Sequence, residues 1–372
     1  MLKKIVIIGS DTDYGKIAFD FFSKFSDFYK IVGLTFFSKD RSLFVNQLKS
    51  VNPQYVFVYD LEESKSLEIE YNNSNCSFIS GDNITNYIKQ SDADIYVFCD
   101  SNIDCIKAIL SVIYNQKDVV LMSTDAVLSS GKILAYESKL KGVNFYPITL
   151  QTYSLNQFFK VRSNKELDKI ILMNIDKKLD KEDIDEFRSQ KIDFNLFKES
   201  FYNFTHFNLI KQLYLLNYFY DISVEKFDFF KQNKNIITVI AEFNDGSNLI
   251  NTTNNDLYPV LYYYFCKDKS GFVDKNLLIS GDKINLSLSR IDVSKEIFLK
   301  LGIDFLKKGG SYPIVYFFAF ELFTKKYFDN KIKYKDIPLK LKEILEDKSF
   351  YSTKPDLKTI LALKSKLESK FL

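Results

Sequence analysis

Over the first 150 residues, short β-branched runs alternate with stretches whose apolar positions recur every three or four residues. Ile5–Ile8 ends at Gly9, and Ile17, Ala18, Phe21 and Phe22 follow at helical spacing. That order reads as strand, turn, helix. Ile31–Phe36, Tyr55–Tyr59, Ile95–Cys99, Val119–Met122 and Gly142–Tyr146 read as further strands. Leu43–Ser50 and Ile103–Tyr114 read as helices between them. Strands alternating with helices predict a parallel, doubly wound α/β sheet of Rossmann type.

The pattern changes after residue 150. Lys169–Asn174 and Asn235–Phe243 are longer strand candidates, and the second meets a turn signal at Asn244-Asp245-Gly246. Between them, Phe201–Phe219 is apolar enough to read as one buried helix. A polar stretch, Lys267–Ser289, leads to four helical patterns: Val293–Lys308, Pro313–Phe328, Leu339–Leu345 and Leu357–Leu372. The expected fold is therefore α/β with three parts. Residues 1–150 form a Rossmann-like doubly wound domain and 151–275 a central α+β domain. A linker at 276–292 then leads to a helical bundle at 293–372.

Composition narrows the chemistry. The 372 residues carry 51 Lys and Arg against 48 Asp and Glu, too even a balance for a whole-surface nucleic-acid binder. The one histidine, His206, excludes His-rich zinc sites and an H-E-x-x-H protease. It lies among Phe204, Phe207 and Leu209 and is expected to be structural. Cys76, Cys99, Cys105 and Cys266 match no metal spacing and are expected to be reduced and buried. No signal peptide or bilayer-length apolar run is visible, so the expected setting is cytoplasmic, with no membrane and no nucleic-acid partner.

The segments that punctuate this pattern also carry a resemblance. KKIVIIGSDTDYGKIAFDFF is similar to the strand and G-S-T-G-S-I-G turn that open the 1-deoxy-D-xylulose 5-phosphate reductoisomerases. DADIYVFCDSN…VVLMSTDAVLSSGK resembles the segment holding that family's L-A-N-K-E. GVNFYPITLQTYSLNQ stands where the family has G-V-x-x-x-P-V-D-S-E. FNDGS, NNDLYPVLYYYF and KGGSYPIVYFFAFELFTKKYFDNKIKYKDIP follow in the family's order. The resemblance covers nearly the whole chain. It implies an NADPH- and divalent-metal-dependent enzyme of isoprenoid precursor synthesis, homodimeric, with a dinucleotide domain, a catalytic domain and a helical bundle.

Set against that family, the chemical positions are changed. A hard divalent cation needs carboxylate oxygens. The family's D-S-E falls on Thr149, Leu150 and Gln151, and its N-K-x-x-E on Asn208, Leu209 and Gln212; a looser register would put Thr205 at the last position. All three metal carboxylates and the lysine after Asn208 are therefore absent. The family's N-K-E reads Ser123, Thr124 and Asp125. Its S-G-G-P phosphate turn reads Ile175-Asp176-Lys177-Lys178, and the asparagines of L-N-A-A-N-E read Phe317 and Phe320, with Glu321 kept. The lid bearing His and Trp has no counterpart, because the chain has no Trp.

The cofactor turn is half kept. Gly9, Ser10 and Gly15 stand, but the central glycine is Thr12, flanked by Asp11 and Asp13. A carboxylate about 4 Å from a pyrophosphate repels it by roughly 4 kcal/mol at an effective dielectric of about 20. Asp13 or Asp11 is accordingly expected to cap the helix itself. Lys39 and Arg41, after the second strand, are the candidates for holding a 2′-phosphate. No cofactor is assigned outright: NADPH is kept as a candidate and a divalent metal is not expected. The expected role is a non-catalytic, reductoisomerase-like protein, homodimeric and with an unidentified protein partner. The alternatives are an active NADPH-dependent reductoisomerase with ligands recruited elsewhere, or another NAD(P)-dependent oxidoreductase.

Overall fold

The computed structural model describes residues 2–81, 84–100, 105–175, 181–190, 193–233, 236–254, 256–266 and 286–371. Two compact units form. The first comprises Met1–Val127, Lys132–Thr149 and Leu257–Gly271; the second comprises Leu128–Gly131, Leu150–Asp256 and Phe272–Leu372.

The first unit runs β1 (Lys3–Ile8), α1 (Asp13–Lys24), β2 (Tyr29–Phe36), α2 (Arg41–Val51), β3 (Tyr55–Val58), α3 (Leu61–Tyr71) and β4 (Ser77–Ser80). It continues with α4 (Ile84–Gln90), β5 (Ile95–Phe98), α5 (Cys105–Tyr114), β6 (Asp118–Leu121), α6 (Asp125–Ser130), α7 (Ile133–Lys141) and β7 (Phe145–Pro147). All seven strands are parallel, in the order β4-β3-β2-β1-β5-β6-β7. The chain reverses direction across the sheet between β1 and β5, and the crevice outside such a switch point is where open α/β sheets bind ligands.

Three successive strand-to-helix turns use one device. Thr12, Asp40 and Asp60 each accept a hydrogen bond from the third amide of the following helix, on Gly15, Leu43 and Glu63. Asn52 and Asn72 close α2 and α3 in the left-handed region, at φ 47° and 46°. These caps place the turns after β1, β2 and β3 side by side. All four cysteines are free and buried, as expected. Strand β4 was not legible in SNCSFIS, which is half-buried and polar.

The second unit begins with α8 (Leu150–Val161), β8 (Leu167–Ile175), α9 (Lys181–Ser189), α10 (Phe194–Phe204), α11 (Phe207–Tyr220), β9 (Phe227–Gln232), β10 (Ile236–Phe243) and β11 (Asn248–Asn254). The chain then contributes α12 (Tyr258–Phe265) to the first unit, where Phe265 packs on Phe22, Tyr29 and Tyr146. The sequence had assigned these residues to the central domain; an apolar face at the right spacing does not say which core it joins. β12 (Leu288–Arg290), α13 (Ile297–Lys308), α14 (Tyr312–Phe328), α15 (Asp336–Glu346) and α16 (Leu357–Phe371) complete the unit. Its sheet is mixed, in the order β11-β10-β8-β9-β12. Most of the stretch 267–289, and the start of the helix expected from Ile103, lie outside the described residues.

The expected helix Phe201–Phe219 is two helices, broken at Thr205-His206. His206 takes φ 57°. The apolar pattern runs through the break because residues on both sides are buried, so periodicity alone conceals it.

The tightest point of the first unit lies between α1 and β1. A Cβ on Gly15 would stand 2.2 Å from the Gly9 carbonyl oxygen and 2.5 Å from Ser10 backbone atoms. Backbone cannot yield as a side chain does. Gly15→Ala should therefore lower unfolding free energy by about 3 kcal/mol, at the upper end for overpacking, read by urea denaturation.

Candidate functional site

The turn after β1 and the first turn of α1 contain every expected cofactor residue that precedes β2. Gly9 sits at φ 78° and donates its amide to Thr35 Oγ1 at 2.6 Å. Ser10 is buried; its amide donates to the Thr35 carbonyl, and its own carbonyl accepts from Gln47 Nε2 at 2.9 Å. Thr12, where the family glycine would stand, spends its hydroxyl twice. The oxygen accepts from Gly15 N at 3.0 Å and the proton goes to the Gly9 carbonyl at 2.8 Å. A bound pyrophosphate draws on just such helix N-terminal amides. Here one of them is held by the chain itself.

The cap is thus Thr12, not Asp11 or Asp13 as the sequence suggested. Asp11 is 2% exposed and turned inward: its carboxylate accepts from the amides of Phe37 at 2.9 Å and Lys39 at 2.7 Å. It fastens the turn after β2 to the turn after β1. Asp13 is fully exposed, 3.7 Å from Lys16. Its repulsion of a phosphate in water-like surroundings falls to about 1 kcal/mol at 4 Å. Charge is therefore the smaller obstacle, and the occupied amide and the packing are the larger ones. The Phe37 ring lies over Gly9, 3.2 Å from where a Cβ would stand, and contacts Tyr59 at 5.6 Å between centroids.

Lys39 is exposed beside Phe37. Arg41 is committed elsewhere: it binds Glu63, reaches Glu70 at 2.7 Å and donates to Ser66 at 3.0 Å, all on α3. Desolvation would lower its pKa, but the hydrogen bonds it donates to Glu70 and Glu63, and their charges, together raise it. Arg41 is therefore an inter-helix clasp in this structure and not a free phosphate donor.

Thr124 and Asp125 stand at the start of α6, both half-buried, with the Thr124 carbonyl accepting from Val127 N. Thr149 is half-buried at the end of the first unit, and Leu150 and Gln151 open α8 as buried residues.

In the second unit Asn208 is half-buried on α11 and Leu209 is wholly buried. Gln212 Oε1 is buried with no hydrogen-bond partner. An amide oxygen in that state is no substitute for a carboxylate that must hold a dication. Among the described residues, no group of three or more His, Cys, Asp or Glu side chains is placed to hold a metal ion. The donor set does not fit the family's divalent metal. With Thr12 and Arg41 engaged, the β1 turn does not fit a dinucleotide pyrophosphate with a 2′-phosphate either.

Phe317 and Phe320, expected from the resemblance to stand at the family's two asparagines, are core residues. Phe320 is fully buried and stacks on Phe207 at 4.0 Å with the rings 6° apart; Phe317 is buried beside them. Glu321 accepts from Lys198 Nζ at 2.8 Å and from the Tyr202 hydroxyl at 3.1 Å.

Pattern reasoning missed one polar cluster. Asn174 Nδ2 donates to the Asn203 carbonyl at 3.0 Å and lies 2.9 Å from His206 Nδ1. The carbonyl can only accept, so the amide nitrogen faces it, and His206 Nδ1 must then be an acceptor. His206 Nε2 faces Glu296 Oε1 at 3.6 Å. Asn203 Nδ2 donates to the carbonyl of Ile175, the one described residue of the expected phosphate turn, at 3.4 Å; the other three lie outside the described residues. His206 is structural, as expected, but it joins β8 to α13 across the break between α10 and α11. A buried Asn at the end of an apolar strand was the available signal.

Two predictions follow from these contacts. Asp11→Ala removes two charge-assisted hydrogen bonds from a buried carboxylate and should cost about 3 kcal/mol of stability. It should also raise amide exchange at Phe37 and Lys39 above that of the β2 strand, read by hydrogen-exchange mass spectrometry. The His206 imidazole facing it holds the Glu296 carboxyl below its ordinary value, against opposing desolvation. A depressed folded value means that its contribution is present above the unfolded value and lost as pH falls through the folded one. The stability gap between wild type and Glu296→Gln should therefore be open at about pH 6 and close below about pH 4, measured by urea melts.

Comparison with known proteins agrees with this anatomy. Residues 5–131 match the family model described as 1-deoxy-D-xylulose 5-phosphate reductoisomerase. A relative of that name from Sulfurihydrogenibium sp. is 26% identical over 352 residues, covering 92% of this chain and 90% of its own. Another from Thermoanaerobacter sp. is 23% identical over 355 residues, covering 93% and 91%. The solved reductoisomerase of Zymomonas mobilis in complex with NADPH superposes with a TM-score of 0.86 at 18% identity, covering 100% of this chain and 98% of that one. A reductoisomerase solved with magnesium gives 0.84 at the same identity, covering 100% and 97%. The family model over residues 5–131, these relatives and the shared fold all indicate the 1-deoxy-D-xylulose 5-phosphate reductoisomerase family of isoprenoid biosynthesis.

Proposed function

We propose that this family member is non-catalytic and acts by binding rather than turnover. One observation carries the reading: the positions aligned with the three metal carboxylates are Thr149, Gln151 and Gln212, none of them an acid, and Gln151 is buried with its neighbour Leu150. The family reaction rearranges a sugar phosphate and then reduces an aldehyde. The metal's part is to chelate two substrate oxygens and stabilise developing negative charge. Neutral amides and a hydroxyl supply dipoles but no counter-charge. Weakened support around a metal already costs 10–100-fold, so loss of the ligands themselves reaches much further.

The engagement of Thr12, Phe37 and Arg41 supports the same reading for the dinucleotide. The role assignments of Gly9, Ser10, Gly15, Lys39, Thr124, Asp125, Asn208 and Leu209 as family positions rest on the resemblance. So do the homodimer, the cytoplasmic setting and the division of the second unit into sheet and helical parts near residue 292. No helix among the described residues is long and apolar enough to cross a membrane.

The second reading is an active NADPH-dependent reductoisomerase with relocated ligands. It is favoured by the relatives' shared name and by the NADPH complex among the solved structures. A third, another NAD(P)-dependent oxidoreductase, would keep the first unit and dispense with the metal.

The test is NADPH oxidation by purified full-length protein with 1-deoxy-D-xylulose 5-phosphate and Mn²⁺ or Mg²⁺. Turnover below about 10⁻³ s⁻¹, against about 10 s⁻¹ for an ordinary enzyme, is expected. Substrate-dependent oxidation at an ordinary rate would establish the second reading.

A further inference from the structure

We propose that the cluster of Asn174, Asn203 and His206 is a proton-operated latch, closed while the His206 imidazole is neutral and released when it takes up a proton. This goes beyond the functional reading above and holds whether or not the chain turns over a substrate.

The break between α10 and α11 is held from outside the two helices. His206 stands at φ 57° and gives α11 no side-chain cap; its ring meets Asn174 of β8 instead. Asn174 is 7% exposed and uses both protons of one amide nitrogen. One goes to the Asn203 carbonyl at 3.0 Å and the other to His206 Nδ1 at 2.9 Å. Asn203 Nδ2 returns a bond to the carbonyl of Ile175 at 3.4 Å. The end of β8, the end of α10 and the start of α11 are thus tied largely through a single nitrogen.

That arrangement accepts one form of the imidazole. Asn174 Nδ2 only donates, so Nδ1 must present its lone pair. A proton on Nδ1 would set two donors against each other at hydrogen-bond distance. Turning the Asn174 amide over brings its oxygen to the Nδ1 proton. The same oxygen then faces the Asn203 carbonyl, which has no proton to give. Either way, one of the two bonds from Asn174 is lost in a buried place.

The far side of the ring favours the charged form. Nε2 faces Glu296 Oε1 at 3.6 Å, and among the described residues that carboxylate is the one ion-pair partner of His206. Behind it, Lys231 of β9, Asp292 ahead of α13 and the Tyr334 hydroxyl interact with Glu296. Asn174 and Asn203 bring no charge from β8 or α10. Protonation therefore strengthens the tie to Glu296 and cuts a tie between β8 and α10. The turned amide is the favoured outcome, because it gains a charge-assisted bond to the imidazolium. The Asn203 carbonyl is what it leaves, so the end of α10 is released while the start of α11 stays anchored.

The chain has one histidine, so its imidazole gives a single NMR signal that needs no assignment. Full-length protein carrying ¹⁵N-histidine is titrated from about pH 8 to about pH 5, the range in which imidazoles ordinarily charge. The neutral ring should carry its proton on Nε2. Hydrogen exchange is read by mass spectrometry over the same range and corrected for the intrinsic effect of pH. The peptide over residues 199–206 should lose protection at least about fivefold, along the same curve as the imidazole signal. The peptide over residues 210–218 should keep its protection.

His206→Asn supplies the control. Asparagine tolerates the left-handed region, can accept from Asn174 through its oxygen and cannot charge. Its 199–206 peptide should hold one level of protection throughout. Asn174→Ala, with the latch cut, should show the low protection at every pH. Should either variant not fold, the coincidence of the two wild-type curves still decides. A neutral ring protonated on Nδ1 overturns the proposal. So does an imidazole that stays neutral down to about pH 5, a 199–206 peptide whose protection does not follow the imidazole curve, or a loss of protection that persists in His206→Asn.

Discussion

Helix α1 can approach the end of β1 only because Gly15 has no side chain to meet the Gly9 carbonyl. That close approach orients the first helix of the unit, and through it the packing of α1 on the sheet. In the same turn, Thr12 has replaced the residue that would leave the helix amides open. One loop thus keeps the constraint that the fold needs while the chain itself holds one of the helix amides, on Gly15.

The second unit shows the same conversion by different chemistry. Leu209, Phe317 and Phe320, which the resemblance sets at positions where the family has polar side chains, are all buried. The stacked Phe207–Phe320 pair and the Tyr316 hydroxyl on the Phe298 carbonyl tie α11, α13 and α14 together. Such exchanges are stabilising where the polar groups no longer serve a ligand, because a buried polar atom without a partner costs more than the apolar atom replacing it. Gln212 Oε1, buried and unpaired, is where that conversion is incomplete.

Most of the fold was legible in the chain. Six of the seven strands of the first sheet were legible as short apolar runs, and all four C-terminal helices end within one residue of their apolar patterns. What escaped had a physical cause in each case. The polar strand β4 has no alternation to read. The break at His206 lies inside continuous burial, and α12 left its sequence neighbours for a different core. At the candidate site, the resemblance sets Thr149, Gln151 and Gln212 where the family has carboxylates, a reading that rests on the sequence alone. The helix cap could not be read there: Asp11, Thr12 and Asp13 are all capable cap residues, and only geometry shows that Thr12 is used while Asp11 turns inward to hold Phe37 and Lys39. Arg41 looked available for a phosphate because its partners, Glu63 and Glu70, are more than twenty residues away.

The account rests on the claim that the β1 turn and the former metal positions no longer bind what the family binds. Calorimetric titration of the full-length protein with NADPH, with and without Mn²⁺, tests this most directly. The account predicts no saturable heat up to about millimolar cofactor, a free energy of binding weaker than about −4 kcal/mol, and no change when Mn²⁺ is added. Saturable micromolar binding of NADPH, or binding that tightens with Mn²⁺, would contradict it.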